Sequence, residues 1–162
     1  MKKAWARQQT GFTIVELLIV IVVIGILAAI SIVAYSSVRN SAQDSAVKSD
    51  LVSFAKIMGI QKAENGQYPA TLIQNMGIKA SKGAYGVDFQ GYNFRYCLNA
   101  ATDAYVLLAN SKSGKYFVSI SGGTPQETAS TYGWGVCSQV GLVNINPSQN
   151  GYYPTAWGTW IN

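Results

Sequence analysis

The chain contains no histidine. That removes the commonest general base and the commonest metal ligand from any catalytic scheme. Charge is scarce too: Asp, Glu, Lys and Arg make up 12% of 162 residues, about half the usual share. No acid precedes Glu16, none follows Glu127, and no proline occurs between Phe12 and Glu64. There are only two cysteines, Cys97 and Cys137, and their spacing matches no metal motif. Paired carboxylates and nucleophile motifs are missing. Asp88 and Asp103 stand alone and read as turn acids, and Gly122-Gly123 reads as a turn, since no P-loop lysine follows. The expectation is a protein that is not an enzyme and uses no cofactor or metal.

What the chain has instead is one concentrated apolar segment. Leu17 to Ile30 contains no polar residue, and between Phe12 and Ala34 only Thr13, Glu16 and Ser31 interrupt the run. As a helix this stretch spans about 34 Å, enough for a hydrocarbon core of roughly 30 Å. Lys2, Lys3 and Arg7 lie before it with no acid among them. The positive-inside rule keeps that end in the cytoplasm and sends the rest of the chain outward. Both cysteines then fall on the exported side, where an oxidising compartment favours a Cys97–Cys137 disulfide. Past the run, nine basic residues face six acidic ones, spread along the chain. Two readings stay open for that excess: an ordinary solvated surface, or weak attraction to DNA and anionic surfaces.

The periodicity predicts one long helix over Phe12 to Glu64. Its first half is apolar all round. Its second half is amphipathic: Val47, Leu51, Phe54 and Met58 recur at spacings of four, three and four, with Ser49, Ser53 and Lys56 opposite. Asn65-Gly66 is a C-terminal cap, and Pro69 prevents continuation. Tyr68 to Asp88 reads as loop. Three strands follow, Tyr92 to Leu98, Tyr105 to Asn110 and Tyr116 to Ser121, separated by turn-forming stretches. They predict an antiparallel meander whose apolar face covers the helix stripe. Gly133 to Val143 is a candidate further strand. The tail from Gly151 carries Tyr152, Tyr153, Trp157 and Trp160, which either pack on the sheet or are exposed for adhesion.

Residues 1–34 admit three readings: a secretory signal peptide, a plain transmembrane anchor, or a prepilin signal. Glu16 separates them, because a carboxylate beside a long apolar run suits neither of the first two. Lys2-Lys3, then Gly11, then Phe12-Thr13-Ile14-Val15-Glu16-Leu17-Leu18 closely resembles the N-terminal signal of the type IV pilin family. The resemblance covers residues 1 to about 69, including the turn Asn65-Gly66-Gln67-Tyr68-Pro69. It departs from many pilins at Val33 and Ser53, which stand where helix-bending prolines are common, leaving Gly25 and Ser31 as the weak points of the apolar helix.

The resemblance implies that prepilin peptidase cuts between Gly11 and Phe12 on the cytoplasmic face and N-methylates Phe12. In a bundle of such helices, the carboxylate of Glu16 would be neutralised by the Phe12 amine of an adjacent subunit, which fixes their axial offset. The expected fold is α+β and pilin-like: a long N-terminal helix with its apolar half protruding and its amphipathic half packed on a small antiparallel sheet. The expected organisation is a leader over 1–11, a transmembrane and assembly segment over 12–34, and an exported globular domain over 35–162.

By the same resemblance, the chain is expected to be a subunit of a type IV pilus serving adhesion, twitching motility or DNA uptake. Its partners would be prepilin peptidase, other copies of the chain, the inner-membrane assembly machinery, and DNA or cell surfaces. It would sit in the plasma membrane as precursor and then in a surface pilus. A type II secretion pseudopilin is the first alternative. The major pseudopilins carry a calcium site of acidic residues near the C-terminus, which the lack of acids after Glu127 speaks against. A membrane-tethered binding domain that never polymerises is the second alternative.

Overall fold

The computed structural model describes residues 11–70, 76–87, 91–129 and 133–141. The basic residues of the leader, Asp88 and the aromatic tail over 151–162 lie outside the described residues. The fold is α+β, with one long helix and a four-stranded antiparallel sheet. By compactness the chain divides into two units, Met1–Val38 and Arg39–Asn162.

Helix α1 runs Ile14–Asn65. It starts where Thr13 caps its first turn. It ends where Gly66 turns left-handed at φ 76° and its N–H donates to the Lys62 carbonyl at 2.8 Å, the termination that glycine favours at this position. Ser31 returns its hydroxyl to the Leu27 carbonyl at 2.8 Å, so this polar group is satisfied within the helix. In the first unit every described side chain is exposed, from Phe12 through Val38. This part of α1 is long and apolar enough to cross a membrane. Its backbone polar groups are paired internally, as lipid requires.

In the second unit the strands are β1 (Phe94–Asn99), β2 (Ala104–Asn110), β3 (Tyr116–Ile120) and β4 (Gln126–Thr128), adjacent in sequence order and antiparallel throughout. Tyr96 pairs with Leu107, Leu108 with Val118, and Phe117 with Glu127. The helix stripe meets one face of this sheet. Val47, Leu51, Phe54 and Met58 are buried together with Phe94, Tyr96, Tyr105, Leu107, Ala109 and Phe117. Phe54 sets its ring edge-on to Phe94 at 5.3 Å.

The second face of the sheet is also covered. Cys97, Val106, Leu108 and Val118 form a smaller core with Cys137 and Val140. Being buried on both faces is why Val106 to Ala109 reads as a continuous apolar run rather than an alternation.

The covering element corrects one expectation: Gly133–Ser138 is a short helix, α2, not a strand. Cys137 and Val140 must both face the sheet. Residues three apart share a side in a helical turn but point to opposite faces in a strand. A hydrogen bond from Val140 N–H to the Cys137 carbonyl at 3.2 Å closes that turn. The fourth strand comes instead from the polar segment Gln126–Thr128, held by pairing with β3 and by the Lys115–Glu127 ion pair.

Candidate functional site

The first turn of α1 contains a reciprocal cap. Thr13 and Glu16 are N-cap and third helical residue of a Thr-x-x-Glu sequence. The Glu16 N–H donates to Thr13 Oγ1 at 3.2 Å. Glu16 Oε2 in return accepts from the Thr13 N–H at 2.9 Å and from the Thr13 hydroxyl at 2.7 Å. This capping box satisfies two donors that a helix start leaves open, and the positive end of the helix dipole favours the carboxylate. Gly11 and Phe12 precede the cap in non-helical conformation. The site therefore holds an exposed carboxylate in a fixed direction one turn from Phe12. Sequence reasoning singled out Gly11, Phe12 and Glu16 but missed Thr13. The signal was present as Ser/Thr-x-x-Glu ahead of an apolar run.

Cys97 and Cys137 form a disulfide with their Cα atoms 5.4 Å apart, across a separation of 40 residues. It ties α2 to β1. Asn99 reinforces the same attachment by donating from Nδ2 to the Val140 carbonyl at 2.7 Å. Its Oδ1 also accepts from the N–H of Ala101 at 3.1 Å, which fixes the β1–β2 turn.

Two anchors set how the loops leave α1. At its C-terminal end, Lys62 donates to Asp103 and lies 4.7 Å above the Tyr68 ring, while Tyr68 packs on Tyr105 at 4.7 Å. Tyr96 donates its hydroxyl to the Pro69 carbonyl at 2.7 Å. The turn from Asn65 to Pro69 is thus docked on the sheet. Asp103, a turn residue at φ 53°, has a specific partner. The hydrogen bond to Asp103 raises the Lys62 ammonium above its usual value. Burial, and then the neighbouring Tyr68, pushes Tyr105 up to about 12.

Midway along the second unit's part of α1, Asp50 accepts from Ser81 N–H at 2.6 Å and from the Tyr85 hydroxyl at 3.1 Å. Burial, with Asp50 beside it, pushes the Tyr85 hydroxyl far up. No sequence signal marked Asp50. Among the described residues there is no group of three or more His, Cys, Asp or Glu placed to hold a metal.

Residues 6–32 match the family model of the prokaryotic N-terminal methylation motif. Type II secretion system core protein G of Pseudomonas aeruginosa is 37% identical over 65 residues, covering 40% of this chain and 46% of that protein. The protein of the same name from Klebsiella pneumoniae is 30% identical over 88 residues, 54% of this chain and 61% of its own. That of Escherichia coli K12 is 28% identical over 116 residues, 67% of this chain and 78% of its own. The chain spans about half the length of most of the curated relatives it matches, 46% for the Pseudomonas and Aeromonas proteins. With a methylation signal at its start, an apolar helix running on from it and a sheet packed on the far half of that helix, the chain carries the type IV prepilin signal on a pilin-like fold and is similar to the secretion proteins named above.

Proposed function

We propose that this chain is the processed subunit of a filament assembled from the membrane, and that the filament is of the type II secretion kind. One observation carries the proposal: the methylation-motif match over residues 6–32 falls on the start of an exposed apolar helix whose capped first turn presents the Glu16 carboxylate. Prepilin peptidase would cut between Gly11 and Phe12 and methylate Phe12. The Phe12 amine of one subunit would then pair with Glu16 of its neighbour as the apolar helices leave the lipid and bury one another. A lone carboxylate in such a bundle is costly, so the pairing selects one axial offset. The relatives named type II secretion system core protein G favour a secretion filament over a surface fibre.

The second reading is a type IV pilus serving adhesion, twitching motility or DNA uptake. It is favoured by one feature of the C-terminal part. The last acid is Glu127, and the segment beyond it is attached by Cys97–Cys137 rather than by an acidic cluster of the kind that the resemblance associates with major pseudopilins. A tethered domain that never polymerises leaves the exposed apolar helix and its capped carboxylate without a use. A catalytic role finds no support in a chain without histidine.

Two measurements on the native organism decide. Intact-mass analysis of the mature protein should give a chain starting at N-methylated Phe12. An N-terminus at Met1 or beyond Ala34 would exclude prepilin processing. Deleting the gene should leave exported enzymes inside the cell while surface fibres remain. Loss of fibres and twitching with secretion intact would select the pilus instead.

A further inference from the structure

The second unit has a cleft of about 340 Å³ whose lining includes Lys82 and Lys112, with Tyr85, Gly86, Val87 and Asn93. It is a built feature. Gly86 N–H donates to the Asn110 carbonyl at 3.0 Å and Lys112 N–H to the Ala84 carbonyl at 2.8 Å. A Cβ at Gly86 would stand 2.7 Å from the Ser111 carbonyl oxygen, so the approach needs glycine there. Both lysines are exposed, and neither has a carboxylate partner among the described residues.

The loops around the cleft are anchored on α1. The β2–β3 turn beyond Lys112 is held to α1 by a hydrogen bond from the Ser113 hydroxyl to Asp44, and the loop before the cleft by Asp50. Arg39 and Lys48 are exposed on this same stretch of α1. Here Arg39, Lys48, Lys82, Lys112 and Lys115 outnumber Asp44, Asp50 and Glu127. Those three carboxylates already accept bonds from Ser113, Ser81 with Tyr85, and Lys115. Toward the C-terminal end of α1, Lys56 and Lys62 are balanced by Glu64 and Asp103. With Lys115 paired to Glu127, and Lys79 in neither group, Arg39, Lys82 and Lys112 are the cations of the first group without a carboxylate or ring partner among the described residues.

We propose that this cationic surface docks on the anionic headgroups of the outer leaflet before assembly, with one phospholipid phosphate held in the cleft by Lys82 and Lys112. The inference rests on the reading that residues 12–34 cross a membrane. Lysine ammonium groups suit a phosphate as point charges, and the exposed Val87 side chain beside them suits the apolar side of the interface. The tether favours the membrane over a polymer in solution, because it fixes a high effective concentration of lipid. A nucleic acid would need a row of phosphate contacts and stacking rings. The aromatic ring of the cleft, Tyr85, is buried with its hydroxyl committed to Asp50.

The test uses the full chain reconstituted in vesicles of phosphatidylcholine, with and without phosphatidylglycerol, and lysine labelling read by mass spectrometry. Labelling at Lys82 and Lys112 should fall several-fold with phosphatidylglycerol, recover in high salt, and stay constant at Lys56. In the K82Q K112Q double variant, the lipid-dependent hydrogen-exchange protection of residues 82–87 should disappear. Its persistence would overturn the cleft assignment. Extraction of the chain by alkaline carbonate would show that the membrane-spanning reading has failed. Resistance to carbonate with equal labelling in both vesicles would overturn the docking alone. Equal protection by inorganic phosphate in phosphatidylcholine vesicles would make the cleft a free-phosphate site. Protection by duplex DNA but not by phosphatidylglycerol would make it a nucleic-acid site. Either result would overturn the lipid assignment.

Discussion

Replacing Phe54 by alanine tests whether the helix stripe holds the sheet. Phe54 is 1% exposed, lies third in the stripe of Val47, Leu51, Phe54 and Met58, and meets Phe94 edge-on at 5.3 Å. Truncating a buried Phe to Ala costs about 3–5 kcal/mol, of which about 0.5–1.5 kcal/mol is the aromatic pair. For a unit the size of Arg39–Asn162, that converts to a loss in Tm on the order of 10–20 °C. Lys56 is two positions on and exposed on the opposite side. Lys56→Ala should change stability by less than about 0.5 kcal/mol. The assay is thermal melting by circular dichroism of a chain beginning at Arg39, with both variants and the parent at one pH. Comparable Tm losses from the two substitutions would refute the helix-on-sheet arrangement, because only one of these side chains reaches the core.

Glu16→Val and Glu16→Gln should both abolish filaments recovered by shearing while membrane-fraction blots stay normal, and Glu16→Asp should retain part of the yield. Normal filaments from the Val and Gln variants would remove Glu16 from assembly. Loss of the disulfide should cost about 4 kcal/mol by the chain-entropy relation for a loop of this length, read as a lower Tm for the Cys97→Ala Cys137→Ala protein. Two free thiols in non-reducing peptide maps of exported protein would contradict the bond. Tyr105, raised from about 10 to about 12, is held neutral by the fold. Its contribution is intact below pH about 10 and lost as pH rises toward about 12. Phenolate formation that runs to completion before the far-ultraviolet signal changes would contradict this.

The elements that could be read from the sequence are those with a period or a chemical constraint of their own. The stripe of α1 obeys the helical repeat, and its four residues are the four fully buried positions of the helix. Gly66 ends the helix because only a left-handed residue closes that turn, and Cys97 had one possible partner. The strands of the meander were legible from their β-branched and aromatic content, to within two residues at each end. The second sheet face was not. Val106, Leu108 and Val118 face a cover supplied from Cys137 and Val140, and nothing local to β2 or β3 says that such a cover exists. Once a strand is buried on both sides its alternation vanishes, and the pattern no longer tells which residue faces which layer. β4 fails for the opposite reason. Gln126-Glu127-Thr128 has no apolar face, and its pairing is set by β3 and Lys115 rather than by its own residues. Asp50 belongs with these, since its partners Ser81 and Tyr85 lie some 30 residues away along the chain, at separations of 31 and 35.

The role proposed for Glu16 between subunits came from the sequence, whereas the role the structure shows did not. Read against the apolar run, it is an anomaly whose cost needs an external cation, and that points between subunits. Read against Thr13, it is the third helical residue of a capping box, and its first partners lie within its own turn. The proposed pairing is compatible with the cap because the cap uses a single oxygen. Oε2 accepts both Thr13 donors, and Oε1 accepts none among the described residues. A neighbour's amine can therefore approach Oε1 without unwinding the helix start. This is also why Glu16→Gln is more decisive than Glu16→Val. Glutamine can keep the cap through its amide oxygen, so a filament defect in that variant is assigned to the missing charge and not to a frayed helix.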